Sequence, residues 1–201
     1  MRKIIVQEFL TLDGVMQAPG GPEEDTSGGF PYGGWVAPYF SAEPDPVFDR
    51  IMQKWMQSTD ILIGKNTFQI FEPYWPKHAE DWLGINEVNK YVLSTSLERS
   101  DWQNTVFVRS IDEVINLKAS GKEDLRVYGS AAVAQALFKH NLVDELYLMI
   151  FPIILGRGKR LFAEDSMPAA FAVTDHQVTS NGVVLSCYQR VGEVKTGLVG
   201  E

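Results

Sequence analysis

The chain is poor in cysteine and lacks a long hydrophobic run. Cys187 is the one cysteine among 201 residues, which excludes an internal disulfide and any cysteine-rich metal site. No apolar stretch approaches membrane-spanning length, and the N-terminal residues enter a strand pattern without a signal peptide. Positive charge is also in deficit, and the net charge of -8 argues against a nucleic-acid or anionic-membrane surface. We therefore expect a cytoplasmic protein that holds no metal.

The chain does contain enough apolar residues for one well-packed domain. Hydrophobic residues make up 45% of the sequence and charged residues 22%, which are ordinary globular values. A single domain of this length can bury a substantial core. We find no internal repeat and no interdomain linker. The sequence predicts one domain over residues 1–191, followed by a frayed C-terminal tail over residues 192–201.

Strand and helix patterns alternate through the middle of the chain. Strands are predicted over 3–10, 60–64, 90–94, 106–108, 125–127 and 145–154, with a hairpin over 171–190. Helices are predicted to begin after Asp45, an N-cap that precedes Pro46, and at a capping box formed by Ser110 and Glu113. This order predicts an α/β fold in three layers, with a mostly parallel central sheet and a C-terminal antiparallel hairpin.

Residues 18–44 form a long segment rich in glycine, proline and aromatic residues. Such a segment without regular structure is unusual inside a compact domain and indicates a lid or a binding loop. A disordered insertion is the alternative, but disordered segments are poor in aromatic residues, so we favour the lid. Its predicted stacking surface for a ligand consists of Phe30, Tyr32, Trp35 and Tyr39.

The stretch Leu125–Leu137, LRVYGSAAVAQAL, predicts a short buried strand, a tight turn and a helix that begins on small residues. Ser130 is placed to cap this helix by accepting a hydrogen bond from a first-turn amide. Ala131 and Ala132 leave the first-turn amides uncovered, and these amides suit a phosphate. Taken alone, the stretch is equally compatible with an ordinary strand-to-helix connection.

Three polar turns follow predicted strands. They are Gly64-Lys65-Asn66-Thr67, Ser94-Thr95-Ser96 and Gly129-Ser130. Ligands of open α/β sheets bind outside the carboxyl ends of the strands, which is where these turns fall. One such turn would be unremarkable, but three of them suggest a single phosphate-bearing ligand.

These motifs resemble the dihydrofolate reductase fold. GKNTF resembles its glycine-basic-x-threonine turn, LSTS its serine-rich turn, and VYGSAAVAQAL its pyrophosphate-binding strand, turn and helix. DELYLMIFPIILGRGKRLF resembles the strand that follows. LTLDG and PIILGRG are more similar to the reductase domain of the bifunctional riboflavin-biosynthesis deaminase-reductase and its stand-alone relatives. The resemblance runs from Lys3 to about Arg190 and covers only the reductase half of the bifunctional enzyme, without its deaminase half.

The resemblance implies an NADPH-dependent reductase with a dihydrofolate reductase-like fold. The cofactor would contact all three turns, that is Gly64, Lys65, Asn66, Thr67, Ser94, Thr95, Ser96, Gly129, Ser130, Ala131, Ala132 and Val133. Lys65, Thr67, Ser94 and Ser96 would hold the adenosine phosphates, and residues 129–133 the pyrophosphate. Such reductases commonly carry arginine where Lys65 stands, so NAD remains the alternative to NADP.

The implied reaction is hydride delivery to a C=N or C=O of a small heterocyclic substrate, either pterin- or folate-like or aminopyrimidine ribotide-like. Asp49, by its spacing to Gly64, and Asp13, near the nicotinamide end, are the candidate catalytic residues. A solvated helix position is the alternative for Asp49. Trp35, Phe48 and Arg157 are the candidate substrate contacts, with a solvated turn as the alternative for Arg157. The alternative function is a catalytically silent dinucleotide-binding scaffold, and in either case we expect a homodimer.

Overall fold

A computed structural model describes residues 1–40 and 44–200; residues 41–43 of the predicted loop 18–44 lie outside the described residues. The strands are β1 Ile4–Thr11, β2 Asp60–Gly64, β3 Lys90–Leu93, β4 Thr105–Val108, β5 Leu125–Val127, β6 Glu145–Phe151, β7 Ala170–Val178 and β8 Val184–Gly192. The helices are α1 Ala37–Phe40, α2 Pro46–Trp55, α3 Lys65–Tyr74, α4 Ile111–Ser120 and α5 Ala131–Lys139.

All eight strands form one mixed sheet in the order β4-β3-β2-β5-β1-β6-β8-β7. The first six strands in this order, from β4 through β3, β2, β5 and β1 to β6, pair in parallel. Strand β8 pairs antiparallel with both β6 and β7. The predicted fold class is therefore confirmed. Strand β1 lies between β5 and β6; β5 ends opposite Val6, so the second half of β1, which includes Glu8, extends beyond the end of β5.

Alternate residues of the central strands face opposite layers, as the strand period requires. On one face, Val6 and Leu62 pack in a cluster with Val114 of α4 and Leu137 of α5. On the other face, Phe151 packs in a cluster with Trp55 of α2, and Ile61 and Ile63 pack in a second cluster with Phe68 of α3. Helices therefore cover both faces, and the carboxyl ends of the parallel strands remain available at one edge.

Two predicted helix starts are confirmed by their caps. The Asp45 carboxylate accepts hydrogen bonds from the amides of Val47 and Phe48, at 2.8 and 3.3 Å, at the start of α2. The Ser110 hydroxyl accepts a 3.3 Å hydrogen bond from the Glu113 amide at the start of α4. In both cases a side chain satisfies amides that have no acceptor within the helix.

The end of one strand was predicted three residues too late, while other strand bounds differ by one or two residues. The apolar run from Glu145 to Ile154 predicts a strand over its whole length, but β6 ends at Phe151. Pro152 follows directly, and it has no amide hydrogen to donate to the neighbouring strand. Beyond it, the Leu12 amide donates to the Ile153 carbonyl at 2.8 Å, so the chain continues as a turn tied to the end of β1.

The long segment after β1 packs into the core, which contradicts the stacking surface predicted for Phe30 and Trp35. Phe30 is 5% exposed and Trp35 is 7% exposed. The Trp35 ring makes an edge contact with Phe151 at a centroid distance of 5.3 Å, and its Nε1 donates to the Gln17 carbonyl at 2.8 Å. Tyr32, in contrast, is 47% exposed. Because large aromatic rings bury well against a sheet, the glycine-rich backbone here carries core residues, and no free face of Trp35 is left for a ligand.

The predicted hairpin is confirmed near the C-terminus. Strands β7 and β8 are joined through Asn181 and Gly182, and Gly182 has a φ of 83°, a conformation that glycine adopts without strain. The Val183 amide donates to the Thr179 hydroxyl at 2.9 Å and closes the turn. Within residues 1–40 and 44–200, no helix is long and apolar enough to cross a bilayer.

Candidate functional site

The first and third predicted turns are in direct contact. The Gly64 amide donates a 3.2 Å hydrogen bond to the Gly129 carbonyl. A Cβ on Gly64 would clash with the Ser130 side chain and lie 3.0 Å from Val133 Cγ2. Glycine is therefore required at position 64 because the end of β2 and the start of α5 approach each other so closely.

The second turn is joined to the first by a side-chain bond. Lys65 Nζ donates a 3.0 Å hydrogen bond to Ser96 Oγ. Strands β3, β2 and β5 are neighbours in the sheet, so the turns that follow them share one edge. The three turns that the sequence singled out therefore form one continuous surface at the carboxyl ends of the parallel strands, which we call the turn surface.

The start of α5 supplies backbone donors to the turn surface. The amides of Ala131 and Ala132 occupy the first helical turn and have no intrahelical acceptor, whereas the Val133 amide already donates to the Ser130 carbonyl at 3.0 Å. Of the predicted amides at residues 131–133, the Val133 amide is thus already engaged, and those of Ala131 and Ala132 remain without an acceptor. Ala131 is 8% exposed and Ala132 is exposed, so Ala132 marks the open side of this helix end.

Ser130 stands at the N-cap position, but its side chain makes no capping hydrogen bond. The capping role predicted for it is therefore wrong. The peptide bond between Gly129 and Ser130 is cis, and the Ser130 side chain is directed against Gly64. That placement leaves the Ser130 hydroxyl without a partner among the described residues, at the edge of the turn surface.

The serine-rich turn contains one buried serine that stabilises it and two exposed residues. Ser94 is buried, and its hydroxyl accepts hydrogen bonds from the amides of Ser96 and Leu97 at 3.3 and 3.2 Å, so it fixes the turn. Thr95 and Ser96 are exposed and remain available to a ligand. The same is true of Asn66, whereas Thr67 is partly exposed.

Asp13 is a structural residue. Its carboxylate accepts hydrogen bonds from the Thr11 hydroxyl at 2.6 Å and from the amides of Leu155 and Gly156 at 3.2 and 2.9 Å, and it pairs with Arg160 at 3.2 Å. Burial opposes ionisation, but these hydrogen bonds hold the pKa of Asp13 below its ordinary value. An ionised carboxylate committed to four donors has no proton to give, so the catalytic role predicted for Asp13 is not supported.

Asp49 is exposed on α2 and makes no side-chain hydrogen bond or ion pair among the described residues. Neighbouring positions of α2 bind the hairpin, because Lys54 pairs with Asp175 at 3.3 Å and Arg50 donates to Gln177 at 3.4 Å. Nothing in this geometry turns Asp49 toward the turn surface, and the solvated helix position is the better interpretation.

The candidate substrate residues do not form one group. Phe48 is half-buried and makes an edge contact with Phe40 at a centroid distance of 4.8 Å. Arg157 is exposed and donates to the Gly29 carbonyl. Arg157 also lines a surface cavity of about 260 Å³, beside Lys159 and Phe30. Trp35 belongs to the core, whereas Arg157 faces an open cavity.

The family model of the RibD C-terminal domain matches residues 2–185. The chain belongs to the RibD C-terminal domain family. The resemblance stated from the motifs is therefore confirmed, and membership indicates a reductase-like domain of the RibD type.

Three relatives extend this result. The uncharacterised protein YyaP of Bacillus subtilis (strain 168) is 28% identical over 195 residues, which cover 93% of this chain and 94% of YyaP. A candidate riboflavin biosynthesis protein from Shewanella sp. PV-4 has a TM-score of 0.61 at 21% identity, covering 94% of this chain and 99% of that one. A pyrimidine reductase-like protein of Corynebacterium diphtheriae has a TM-score of 0.62 at 15% identity, covering 96% and 93%. The two solved structures share the fold of this chain.

Within this RibD C-terminal domain, the structure adds two residues that the sequence patterns did not indicate. Arg109, directly after β4, donates to the carbonyls of Ser94 and Leu97 at 2.8 and 2.5 Å and so places a cation beside the serine-rich turn. The position of Arg109 directly after a predicted strand could have indicated this role in the sequence. Glu8 lies at the other side of the turn surface, near Gly129 and Thr67, and its strand pattern gave no sign of a polar role.

Proposed function

We propose that this protein is a reductase that binds NADPH across the turn surface. The observation that carries the proposal is the convergence of the three turns, joined by the Lys65–Ser96 and Gly64–Gly129 hydrogen bonds. The free amides at the start of α5 suit a pyrophosphate, because backbone N–H groups and the helix dipole both favour an anion there. Lys65 would then hold the phosphate that distinguishes NADPH from NADH.

The residues present fit such an elongated anionic ligand. A Cβ on Gly129 would lie 3.1 Å from Thr67 Oγ1, so a larger residue at position 129 would crowd the space between the first and third turns. The backbone can approach a ligand closely at Gly129 for the same reason. Local donors are needed here, because the chain as a whole carries a net charge of -8 that repels phosphate.

When bound, the reduced nicotinamide supplies a hydride to the carbon of a C=N or C=O group. The chain's own residues hold the dinucleotide, orient the substrate and exclude water. The similarity to a pyrimidine reductase-like protein and to a candidate riboflavin biosynthesis protein favours a small heterocycle, of the aminopyrimidine ribotide or pterin class, as substrate.

The proposal is tested by thermal shift, followed by turnover. NADPH at about 100 times its dissociation constant stabilises the folded state by about 2.7 kcal/mol, which raises the melting temperature. Oxidation of NADPH is then followed with aminopyrimidine ribotides and with folates. A melting temperature that stays unchanged with both NADPH and NADH would contradict the proposal.

One observation favours the silent scaffold as the second candidate function. Asp13 is committed to hydrogen bonds and Asp49 is exposed, so neither predicted carboxylate is placed as a proton donor. A scaffold of this kind would bind the dinucleotide without oxidising it in the presence of any substrate in the panel. Turnover with a single heterocycle decides in favour of the reductase.

A further inference from the structure

Glu8 occupies the meeting point of β1, the end of β5 and the start of α3. It follows Ile4 and Val6 on the same face of β1, and those two side chains are buried beneath the helices of that layer. One step further along the strand, Glu8 emerges beside the Gly129 turn. A Cβ on Gly129 would lie 3.8 Å from Glu8 Oε1 and 3.1 Å from Thr67 Oγ1, so the carboxyl group lies within the turn surface.

The Glu8 carboxyl group has an unmet hydrogen-bonding capacity. Its Oε1 is buried and has no hydrogen-bond partner among the described residues. Burial raises the pKa of Glu8 to about 8, although the backbone amide of Gly129 opposes this shift. Because ionisation would leave this buried oxygen charged and without a partner, the side chain is held as the neutral acid at neutral pH. A neutral carboxylic acid has an O–H group, which can donate a hydrogen bond to a ligand oxygen.

The ionisable groups that act on Glu8 give it no cation. Glu24, on the long segment after β1, raises the pKa of Glu8 further by charge repulsion. Tyr128, the residue before Gly129, is half-buried, and loss of solvent around its hydroxyl raises its pKa, so it is neutral over the same range. Thr67, from α3, is not ionisable. Apart from the Gly129 amide, the groups that act on Glu8 among the described residues therefore do not stabilise its charged form.

We propose that Glu8 is a ligand-contacting residue of the dinucleotide site, where its protonated carboxyl group donates a hydrogen bond to an oxygen of the bound dinucleotide. This inference rests on the proposed function. An ionised Glu8 would place a negative charge beside the phosphates, so binding of the dinucleotide requires the proton to remain. Proton and dinucleotide then bind with positive coupling, and by reciprocity the bound dinucleotide raises the affinity of Glu8 for its proton.

The coupling predicts how affinity depends on pH. Below the pKa of Glu8 the carboxyl group is already neutral, and affinity is independent of this group. Above it, each complex must take up one proton, so the dissociation constant rises by up to about tenfold per pH unit. Wild-type protein near or above pH 8 should therefore take up protons when NADH or NADPH binds.

The experiment measures the dissociation constants of NADPH and NADH from about pH 6.5 to about pH 9.5, by nucleotide fluorescence, for wild type, Glu8→Gln and Glu24→Gln. Glu8→Gln keeps a hydrogen-bond donor but cannot ionise, so its affinity should be independent of pH. Glu24→Gln should retain the pH dependence, with the decline in affinity beginning at a lower pH, because a repulsive neighbour has been removed. NADH serves as the control for titration of the additional phosphate of NADPH.

Calorimetry of the wild type in two buffers of different ionisation enthalpy counts the protons taken up, and it does not depend on any variant folding. Uptake approaching one proton above pH 8 supports the proposal, and no uptake overturns it. A pH dependence that persists in Glu8→Gln also overturns it, while the proposed dinucleotide binding stands. If neither dinucleotide nor inorganic pyrophosphate binds at any pH, the proposed function and this inference both fail.

Discussion

Lys65 donates a 3.0 Å hydrogen bond to the Ser96 hydroxyl, although the two residues are 31 positions apart in the chain. The bond holds a cation over the junction between the ends of β2 and β3. Arg109 reaches the same junction through its hydrogen bonds to the carbonyls of Ser94 and Leu97. Both cations therefore lie at the serine-rich side of the turn surface, and the helix amides lie at the other side.

The first prediction concerns this charge. Lys65→Ala should weaken NADPH binding roughly 10- to 100-fold, because one charge-assisted hydrogen bond contributes about 1.5–3 kcal/mol. NADH binding should change much less, since NADH lacks the phosphate that Lys65 would contact. Fluorescence titration of both nucleotides measures the difference. Lys77→Ala, on the turn that follows α3, removes the same charge elsewhere and is the matched control. Equal losses for NADPH and NADH in Lys65→Ala would place this lysine outside the phosphate site.

The second prediction concerns the start of α5. Ala132→Asp places a negative charge among the amides that would hold the pyrophosphate, and dinucleotide affinity should fall at least tenfold. Stability should stay within about 0.5 kcal/mol of the wild type or increase slightly, because an acidic residue suits the positive end of a helix. Ala132 is preferred to Ala131 as the test position because Ala131 is buried.

Gln103→Glu is the control for this charge change, since it alters the net charge equally at an exposed position before β4, at the opposite end of the strands. Its dinucleotide affinity should match the wild type. Retained affinity in Ala132→Asp would mean that this helix end is only a structural connection.

Much of the scaffold was predictable because local chemistry determines it. The buried run from Asp60 to Gly64 predicts a strand whose bounds match β2, and Asp45 and Ser110 begin their helices as their cap chemistry requires. Glu8 was not predictable, because its surroundings depend on the pairing of β1 with β5, which no local pattern reveals. Trp35 was misassigned because burial in a core and stacking on a ligand call for the same kind of residue, and only packing distinguishes the two.

The third prediction follows from the burial of Trp35. Trp35→Ala should lower the free energy of unfolding by about 3–5 kcal/mol, because it leaves a cavity beside Phe151 and an unpaired Gln17 carbonyl. Tyr32→Ala, from the same segment, should cost less than about 1 kcal/mol because its side chain is 47% exposed. Urea unfolding of the two variants measures both values. If both variants lose only a small and similar amount of unfolding free energy, the aromatic residues of this segment are not core residues and the predicted ligand-binding loop is correct.

The last prediction is the effect of Glu8 on stability across pH in the absence of ligand. An acid whose pKa is higher in the folded than in the unfolded state takes up a proton on folding. Between the two pKa values the folded protein therefore becomes less stable as the pH rises, and above the folded-state pKa the loss is complete. For Glu8 this window runs from its ordinary value of 4.5 to about 8, and across it the wild type should lose stability by up to about 1.4 kcal/mol per pH unit relative to Glu8→Gln. Urea unfolding at several pH values measures the difference between the two proteins, which should be constant below the window and again above it. Glu23→Gln, on the exposed part of the same segment as Glu24, should follow the wild type throughout. If the unfolding free energies of wild type and Glu8→Gln depend on pH in the same way, Glu8 ionises in the folded protein with its ordinary pKa.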